Sequence, residues 1–188
     1  GADAICVPMQ VRSADWPLYM QVMRAMQNVD GVIVTVPHKF AAFENCDHVS
    51  ERARFLRTVN CIRRRPDGSF EGDMFDGLGF VAACETNGCR FTDRRALLVG
   101  TGGAGTAIAH AVATAGVREL ALCDLDHHRR DELVARLRQE GLPVVAADND
   151  ATAADIVLNA TPLGMRAEDP LPIRPSSLHS GQFVGDVV

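Results

Sequence analysis

Three groups of residues in this chain have the types and spacing to do chemistry. The first is a single amine: Lys39 is the only lysine in a sequence that otherwise takes its positive charge from arginine. Arginine keeps its proton at any physiological pH, whereas a lysine amine titrates when its surroundings shift it, so this position is marked for an amine that moves a proton. The second is a pair of carboxylates, Asp73 and Asp76, three residues apart in "EGDMFDGLGF" among glycines and large apolar side chains. Carboxylates sit in such surroundings only with a partner. The third is Gly100-x-Gly102-x-x-Gly105, directly after the apolar run "RALLV" and at the mouth of an alanine-rich helix.

That context gives the glycines a mechanism. The first makes a tight turn and the second lets the backbone approach a pyrophosphate. The third allows helix and strand to pack closely, while the helix N-terminus offers N–H groups to phosphate oxygens. The loop Gly100, Thr101, Gly102, Gly103, Ala104 and Gly105 is therefore expected to bind a dinucleotide. Asp124 ends the next apolar run, "LALCD", at about the twenty-residue spacing of the acid that reads the adenosine ribose. A carboxylate there would accept both ribose hydroxyls and repel a 2′-phosphate, and position 125 is leucine. The expected cofactor is NAD, with NADP disfavoured. Asp126 is expected to cap the following helix, and Arg129 to lie over the adenine or support a phosphate.

The elements that must position these residues follow from periodicity. Ala4 to Val7 reads as a short buried strand. A helix follows near 15–27 with Leu18, Val22 and Met26 along its face. "GVIVTVP" is a β-branched strand ended by Pro37, with a helix beginning at Lys39. "RTVNCIRRR" and "SFEGDMF" form a hairpin about Pro66-Asp67-Gly68, whose Arg63-Arg64-Arg65 run reads as a solvated end. A helix over 77–85, capped by Asp76 and stopped by Gly88, completes this part. Beyond residue 92 strands alternate with helices: strands at "RRALLVG", "RELALCD", "PVVAA", "ADIVLNAT" and "FVGDVV", and helices over 103–115 and 128–139. That alternation implies a parallel sheet with helices on both faces. The expected fold is α/β, with an N-terminal α/β domain over 1–92 and a Rossmann-type doubly wound parallel-sheet domain over 93–188. The abrupt start and stop inside strand-like runs read as absent N-terminal and C-terminal parts.

Composition narrows the function classes. Of 188 residues 47% are hydrophobic and 23% charged, with a formal net charge of −5, which argues for a globular protein and against nucleic-acid or anionic-membrane partners. No apolar run reaches the roughly 18 residues of a membrane span. Six cysteines without CxxC or His/Cys ligand spacing read as reduced core residues, so no metal and a cytoplasmic location are expected. The sequence leaves a homo-oligomer open. His38 is expected to play a structural part, His110 to pack, and His127 and His128 to face solvent.

Four blocks in order, spanning nearly the whole chain, resemble the shikimate/quinate dehydrogenase family. "GVIVTVPHK" resembles its strand leading to the catalytic lysine, and "VNCIRRRPDGSFEGDMFDGLGF" its hairpin leading to an Asp-Gly motif. "VGTGGAGTAIAHAV" resembles its cofactor loop, and "ADIVLNATPLGM" its Asn-Ala-Thr-x-x-Gly-Met segment beside the cofactor. The resemblance implies reversible, nicotinamide-dependent oxidation of a ring hydroxyl on a polyhydroxylated cyclic carboxylate, the small-molecule partner. It implies a substrate-binding first domain and an NAD-binding second one. It makes Lys39 and Asp76 the catalytic pair, with Thr35, Asn60 and Asp76 on the substrate, and Asn159, Thr161 and Met165 on the cofactor. Asp73 is left a structural part.

Departures from the family pattern cluster in the substrate region: Ile33 and Cys61 stand where the family shows Asn and Thr, and Met74-Phe75 where it shows Asn-Thr. Each trades a hydrogen-bonding side chain for a more apolar one, which would alter which ring substituents are accepted. With Asp124, this favours NAD-linked oxidation of quinate or a related acid. The alternatives are an aminoshikimate or other cyclitol dehydrogenase, and an NAD-binding sensor without turnover.

Overall fold

The structure, a computed structural model, describes residues 4–188. The chain divides into two compact units, the first ending at Met74 and the second running from Phe75 to Val188.

In the first unit, helix α1 (Trp16–Ala25) is followed by strand β1 (Gly31–Ile33), helix α2 (Lys39–Glu44), strand β2 (His48–Val49) and helix α3 (Glu51–Leu56). Strands β3 (Cys61–Arg64) and β4 (Phe70–Asp73) close it as an antiparallel hairpin. The sheet order is β1-β3-β4-β2, with β2 parallel to β4. The hairpin turns at Gly68 (φ +85°), and the Asp67 carboxylate there accepts from the Ser69 amide and hydroxyl. Ser50 caps α3 by accepting from the Ala53 amide at 3.0 Å.

Three expectations fail here for physical reasons. Helix α1 buries Trp16, Met20 and Met23, while Leu18, Val22 and Met26 are exposed. Both sets have helical spacing, and the stripe with the largest side chain wins, its Trp16 ring stacking on His38 at 4.7 Å. Ala4 to Val7 forms no strand and is exposed, since no strand among the described residues pairs with the outer side of β1. Arg64, expected in a solvated run, is tied in: its guanidinium donates to the carbonyls of Met23 (2.6 Å), Met26 (3.0 Å) and Val29 (2.8 Å), satisfying the end of α1.

The second unit opens with helix α4 (Asp76–Thr86). It continues through strand β5 (Arg95–Val99), helix α5 (Gly103–Thr114), strand β6 (Glu119–Cys123), helix α6 (His127–Gln139), and strands β7 (Val144–Ala146), β8 (Ile156–Asn159) and β9 (Phe183–Asp186). The five strands are parallel in the order β7-β6-β5-β8-β9. Residues 96–99 of β5 and all of β8 are buried although successive side chains point to opposite faces, so both faces of the central strands are covered. One side of the core joins Leu97, Val99, Val157 and Ile173. The expected α/β architecture, with a parallel Rossmann-type sheet, is what the chain adopts. Among the described residues no helix is long and apolar enough to cross a membrane.

The units part near residue 75 rather than where the sequence changes character near 92, because α4 packs along α5. A Cβ on Gly77 would lie 2.1 Å from the Ala107 carbonyl oxygen of α5, so the approach of the two helices requires a glycine at that point. Gly79, in the same helix, has nothing within 4 Å of such an atom. Gly77→Ala should therefore destabilise the protein by about 2 kcal/mol or more through overpacking, whereas Gly79→Ala should stabilise it by roughly 0.5–1 kcal/mol. Urea unfolding of the two variants measures the contrast.

Candidate active site

The residues expected on the substrate in the first unit are drawn together by the backbone. Beyond β1 the strand continues irregularly, with the Val34 amide donating to the Asn60 carbonyl at 2.8 Å. The Val59 amide donates to the Lys39 carbonyl at 3.0 Å, and the Asn60 amide to the Asp73 carbonyl at 3.0 Å. The segments bearing Thr35, Lys39 and Asn60 thus lie side by side, at the end of β1, the start of α2 and the approach to β3. Thr35 is exposed, and Lys39 and Asn60 are half-buried. His38, beside the lysine, stacks on Trp16 and bonds the Val11 carbonyl at 2.8 Å, which is a structural task.

The two aspartates of the opening motif separate cleanly. Asp73 is held by Arg52 at 2.6 Å, by the Ser50 hydroxyl and by the Met74 amide at 2.7 Å, fastening β4 to α3. Asp76 does not cap α4 as expected; Phe75 holds the cap position and Asp76 is the first helical residue. A carboxylate in the first turn is favoured by the helix dipole there. Lys39 and Asp76 belong to different units. Of the apolar departures, Met74 is 2% exposed and fills the core, so it is a packing residue. Ile33 (77% exposed) and Phe75 (45%) offer apolar surface, and Cys61, opposite Ile33 in the sheet, is half-buried. Burial pushes the thiols of Cys46 and Cys89 up to about 11, which leaves them un-ionised near neutrality.

In the second unit the glycine loop follows β5, the strand flanked by β6 and β8 where the chain order reverses, at the carboxyl ends of the strands. In open parallel sheets ligands bind at that switch point. Gly100 has φ +98°, and a Cβ on it would meet the carbonyl group of Ala160 at 2.9 Å. A Cβ on Gly105 would lie 2.0 Å from the Gly100 carbonyl oxygen, so helix α5 sits directly on the turn. Gly102 and Gly103, by contrast, face open space. Gly102 is the cap of α5, and the following amides, including those of Gly103, Ala104 and Gly105, are those a helix leaves without intrahelical partners. Bare backbone beneath open space at a helix N-terminus suits a pyrophosphate.

Asp124 and Thr101 meet at the root of this loop. One carboxylate oxygen, Oδ2, accepts from the Thr101 amide (2.7 Å) and hydroxyl (2.8 Å); the other, Oδ1, accepts from the Asp126 amide (2.9 Å) and the Arg129 guanidinium (2.8 Å). Asp124 is 8% exposed. Asp124, whose spacing marks it as the ribose reader, thus also fastens the glycine loop to the start of α6. Burial pushes the carboxyl up, but the amides of Thr101 and Asp126, the guanidinium and the hydroxyl outweigh it, leaving the group at about 2. Leu125 next to it is 99% exposed. Asp126 caps α6 as expected, accepting from the Arg129 amide at 3.1 Å, and its second oxygen lies 3.8 Å from the Arg129 guanidinium.

The end of β8 repeats the device. Asn159, 1% exposed, donates to the Asp186 carboxylate at 3.0 Å and the Leu163 carbonyl at 3.2 Å, and accepts from the amide and hydroxyl of Thr161. Its side chain is engaged within the protein and shapes the turn carrying Thr161 and Met165, the latter exposed above Gly164 (φ +108°). Asp186 was missed in the sequence. Its signal, a polar residue closing an apolar strand in "FVGDVV", is the one that marked Asp124.

A parallel sheet with an open glycine loop at its switch point defines a dinucleotide-binding α/β protein of the Rossmann class. Residues 1–62 match the shikimate dehydrogenase substrate binding domain. A shikimate dehydrogenase (NADP(+)) of Rubrobacter xylanophilus is 37% identical over 193 residues, covering 100% of this chain and 68% of that protein. A quinate/shikimate dehydrogenase (NAD(+)) of Corynebacterium efficiens is 34% identical over 166 residues, 85% of this chain and 58% of that one. Among solved structures, shikimate 5-dehydrogenase from Listeria monocytogenes in complex with shikimate and NAD superposes with a TM-score of 0.87 at 25% identity, covering 96% of this chain and 66% of that one. Quinate dehydrogenase from Corynebacterium glutamicum in complex with NAD gives 0.80 at 32%, covering 91% and 63%. The chain belongs to the shikimate/quinate dehydrogenase family, oxidoreductases that act on alcohol groups with nicotinamide cofactors. It spans about two thirds of the length of these relatives.

The Asp124 cluster carries a pH signature. Its folded value lies below the ordinary 3.8, so its stabilisation is complete above about pH 4 and is lost as the pH falls toward 2. Asp124→Asn should cost about 2 kcal/mol at pH 7, a deficit that shrinks between pH 4 and pH 2. Urea unfolding of both proteins across that range checks it; a deficit independent of pH contradicts it.

Proposed function

We propose that the protein is an NAD-dependent oxidoreductase that reversibly oxidises a ring hydroxyl of quinate, shikimate or a related polyhydroxylated cyclic carboxylate. The observation that carries the reading is the bare backbone of Gly102 and Gly103 over the N-terminus of α5 at the sheet's switch point, in a chain of this family. In this reading the first unit holds the ring acid and the second the dinucleotide, with Gly100 to Gly105 around the pyrophosphate and the Thr161–Met165 turn beside it.

When bound, the nicotinamide ring supplies the hydride acceptor or donor. The chain's own part is to orient the ring acid and move a proton. Thr35 and Asn60 hydrogen-bond ring hydroxyls from adjacent backbone segments. The Lys39 amine takes the proton of the reacting hydroxyl as the carbinol carbon is oxidised, and returns it in the reverse direction. Asp76 is its partner, balancing the ammonium charge and accepting from a substrate hydroxyl. Ile33 and Phe75 set apolar surface where polar partners would otherwise read ring substituents, which favours acids with fewer hydroxyls to satisfy at those points.

The preference for NAD rests on charge at the tip of β6. Two carboxylates, Asp124 and Asp126, stand against one guanidinium, and Arg129 already bonds Asp124. Arg130 is paired with Asp131 at 2.8 Å. A 2′-phosphate brought here meets net negative charge and no uncommitted arginine at positions 129 and 130. That preference departs from the NADP(+) of the Rubrobacter relative and agrees with the NAD(+) of the Corynebacterium one.

The test follows NADH absorbance with purified protein across quinate, shikimate and related ring acids. Turnover with at least one acid, faster with NAD than with NADP, is expected; NAD binding without turnover of any would overturn the reading. Lys39→Ala should lower kcat by roughly 10²–10⁴-fold with NAD affinity nearly unchanged, and Lys39→Arg should not restore it, because a guanidinium does not release its proton.

A further inference from the structure

Where β2 ends, β4 loses its strand neighbour on that side. The Ser50 amide still donates to the Gly72 carbonyl at 3.1 Å, and the chain then turns into α3. From there a side chain takes over from the backbone. Two nitrogens of one guanidinium reach two successive residues: Arg52 Nε donates to the Met74 carbonyl at 2.6 Å, and a terminal nitrogen donates to the Asp73 carboxylate at 2.6 Å. The Ser50 hydroxyl, which also caps α3, donates to the other oxygen of that carboxylate. The Arg52 and Asp73 side chains are 23% and 25% exposed, so solvent screens their attraction only in part.

We infer that Arg52 is a positioning residue for the ring-acid site: its fork fixes the Asp73–Met74 peptide, and through the Asp73 carbonyl it sets how Asn60 is presented. This rests on the reading that the first unit holds a ring acid and that Asn60 bonds it. The Asp73 carbonyl accepts from the Asn60 amide at 3.0 Å, and the Asn60 carbonyl accepts from the Val34 amide at 2.8 Å. Val59, one residue before, donates to the Lys39 carbonyl at 3.0 Å. The guanidinium on α3 is thus the outer anchor of a hydrogen-bonded series that runs through the end of β4 to the backbone of Asn60. An amide side chain reads a hydroxyl only from a fixed backbone, because hydrogen bonds weaken steeply as their angle opens. The end of a strand is where pairing frays first, and it is there that the fork grips. A planar guanidinium suits the task, since its rigid donors take a carboxylate and a carbonyl together, which the point charge of a lysine does not.

Arg52→Met keeps an apolar stem and removes the fork. It should raise KM for the ring acid roughly 10-fold, with kcat falling by no more than about threefold, and leave the dissociation constant of NAD unchanged. Arg52→Lys keeps the charge without spanning both acceptors, so it should recover only part of that loss. Arg54, exposed in the same helix, supplies the control, and Arg54→Met should leave all three constants at their parent values. Because Arg52 acts through Asn60, adding Arg52→Met to Asn60→Ala should raise KM no further than Asn60→Ala does alone.

Steady-state kinetics of the full chain and these variants, with the ring acid turned over fastest, gives the first set of numbers, and calorimetry with NAD gives the second. Amide hydrogen exchange adds a readout independent of any ligand. The Asn60 amide should exchange faster in Arg52→Met, while the Arg64 amide, bonded to the Asp30 carbonyl at the far end of β3, keeps its protection. An unchanged KM for the ring acid, an equal loss of NAD affinity, full recovery in Arg52→Lys or additive losses in the double variant overturns the inference. Should the parent chain turn over no ring acid, the functional reading fails and exchange decides the anchor: faster exchange at Asn60 supports it and unchanged exchange refutes it. Should Arg52→Met fail to fold, Arg52→Lys decides through the same constants, a rise in KM for the ring acid alone supporting the inference and an unchanged KM refuting it.

Discussion

The carboxylate of Asp124 is the interaction on which the second unit's ligand-facing surface depends. Burying a charge is costly unless it is paired and hydrogen-bonded on every side. Here the pairing is complete, and the donors come from two separate segments, the glycine loop and the start of α6. Because each donor is fixed in the chain, satisfying one buried charge also fixes the relative placement of those segments. Asn159 does the same between β8, the following turn and β9, with Asp186 as its partner. The open end of a parallel sheet has no ladder beyond its last residue, so polar side chains buried at the strand ends supply the order that backbone pairing no longer can.

Glycine does the complementary work of bringing backbones close. Gly105 sets α5 on the turn at Gly100, and Gly77 sets α4 on α5. The result is a compact second unit in which the helix carrying Asp76 belongs with the cofactor loop rather than with the hairpin that precedes it. In the first unit, the residues proposed for the ring acid are gathered by four backbone segments bonded to one another between residues 34 and 73, and Asp73 is spent on holding that assembly through Arg52 and Ser50. The two aspartates of one short motif thus lie on either side of a unit boundary with different tasks.

Much of this was legible in the sequence because the signals are local. The alternation of strands and helices after residue 92, the glycine spacing and the Pro66-Asp67-Gly68 turn are all short-range patterns, and the parallel sheet, the loop and the hairpin follow them. What was not legible depends on long-range competition. Helix α1 carries two apolar stripes, and only packing around Trp16 decides which is buried. Ala4 to Val7 is apolar enough for a strand, but a strand also needs a neighbour. Asp124 was identified by its spacing, yet spacing cannot say how many donors will converge on a carboxylate, and those donors make it a tether of the loop as well. Met74 likewise looked like a substrate contact from its place in a motif, and burial makes it core.

The central claim is that the glycine loop presents Gly102 to Ala104 to a dinucleotide while Thr101 stays locked beneath it on Asp124. Backbone amide chemical shifts of the labelled chain, recorded while NAD is titrated in, test it most directly. The account predicts large shifts at Gly102, Gly103 and Ala104, with the Thr101 and Asp126 amides remaining hydrogen-bonded and nearly unmoved. Shifts centred on Thr101 and Asp126, with Gly102 and Gly103 silent, would contradict it.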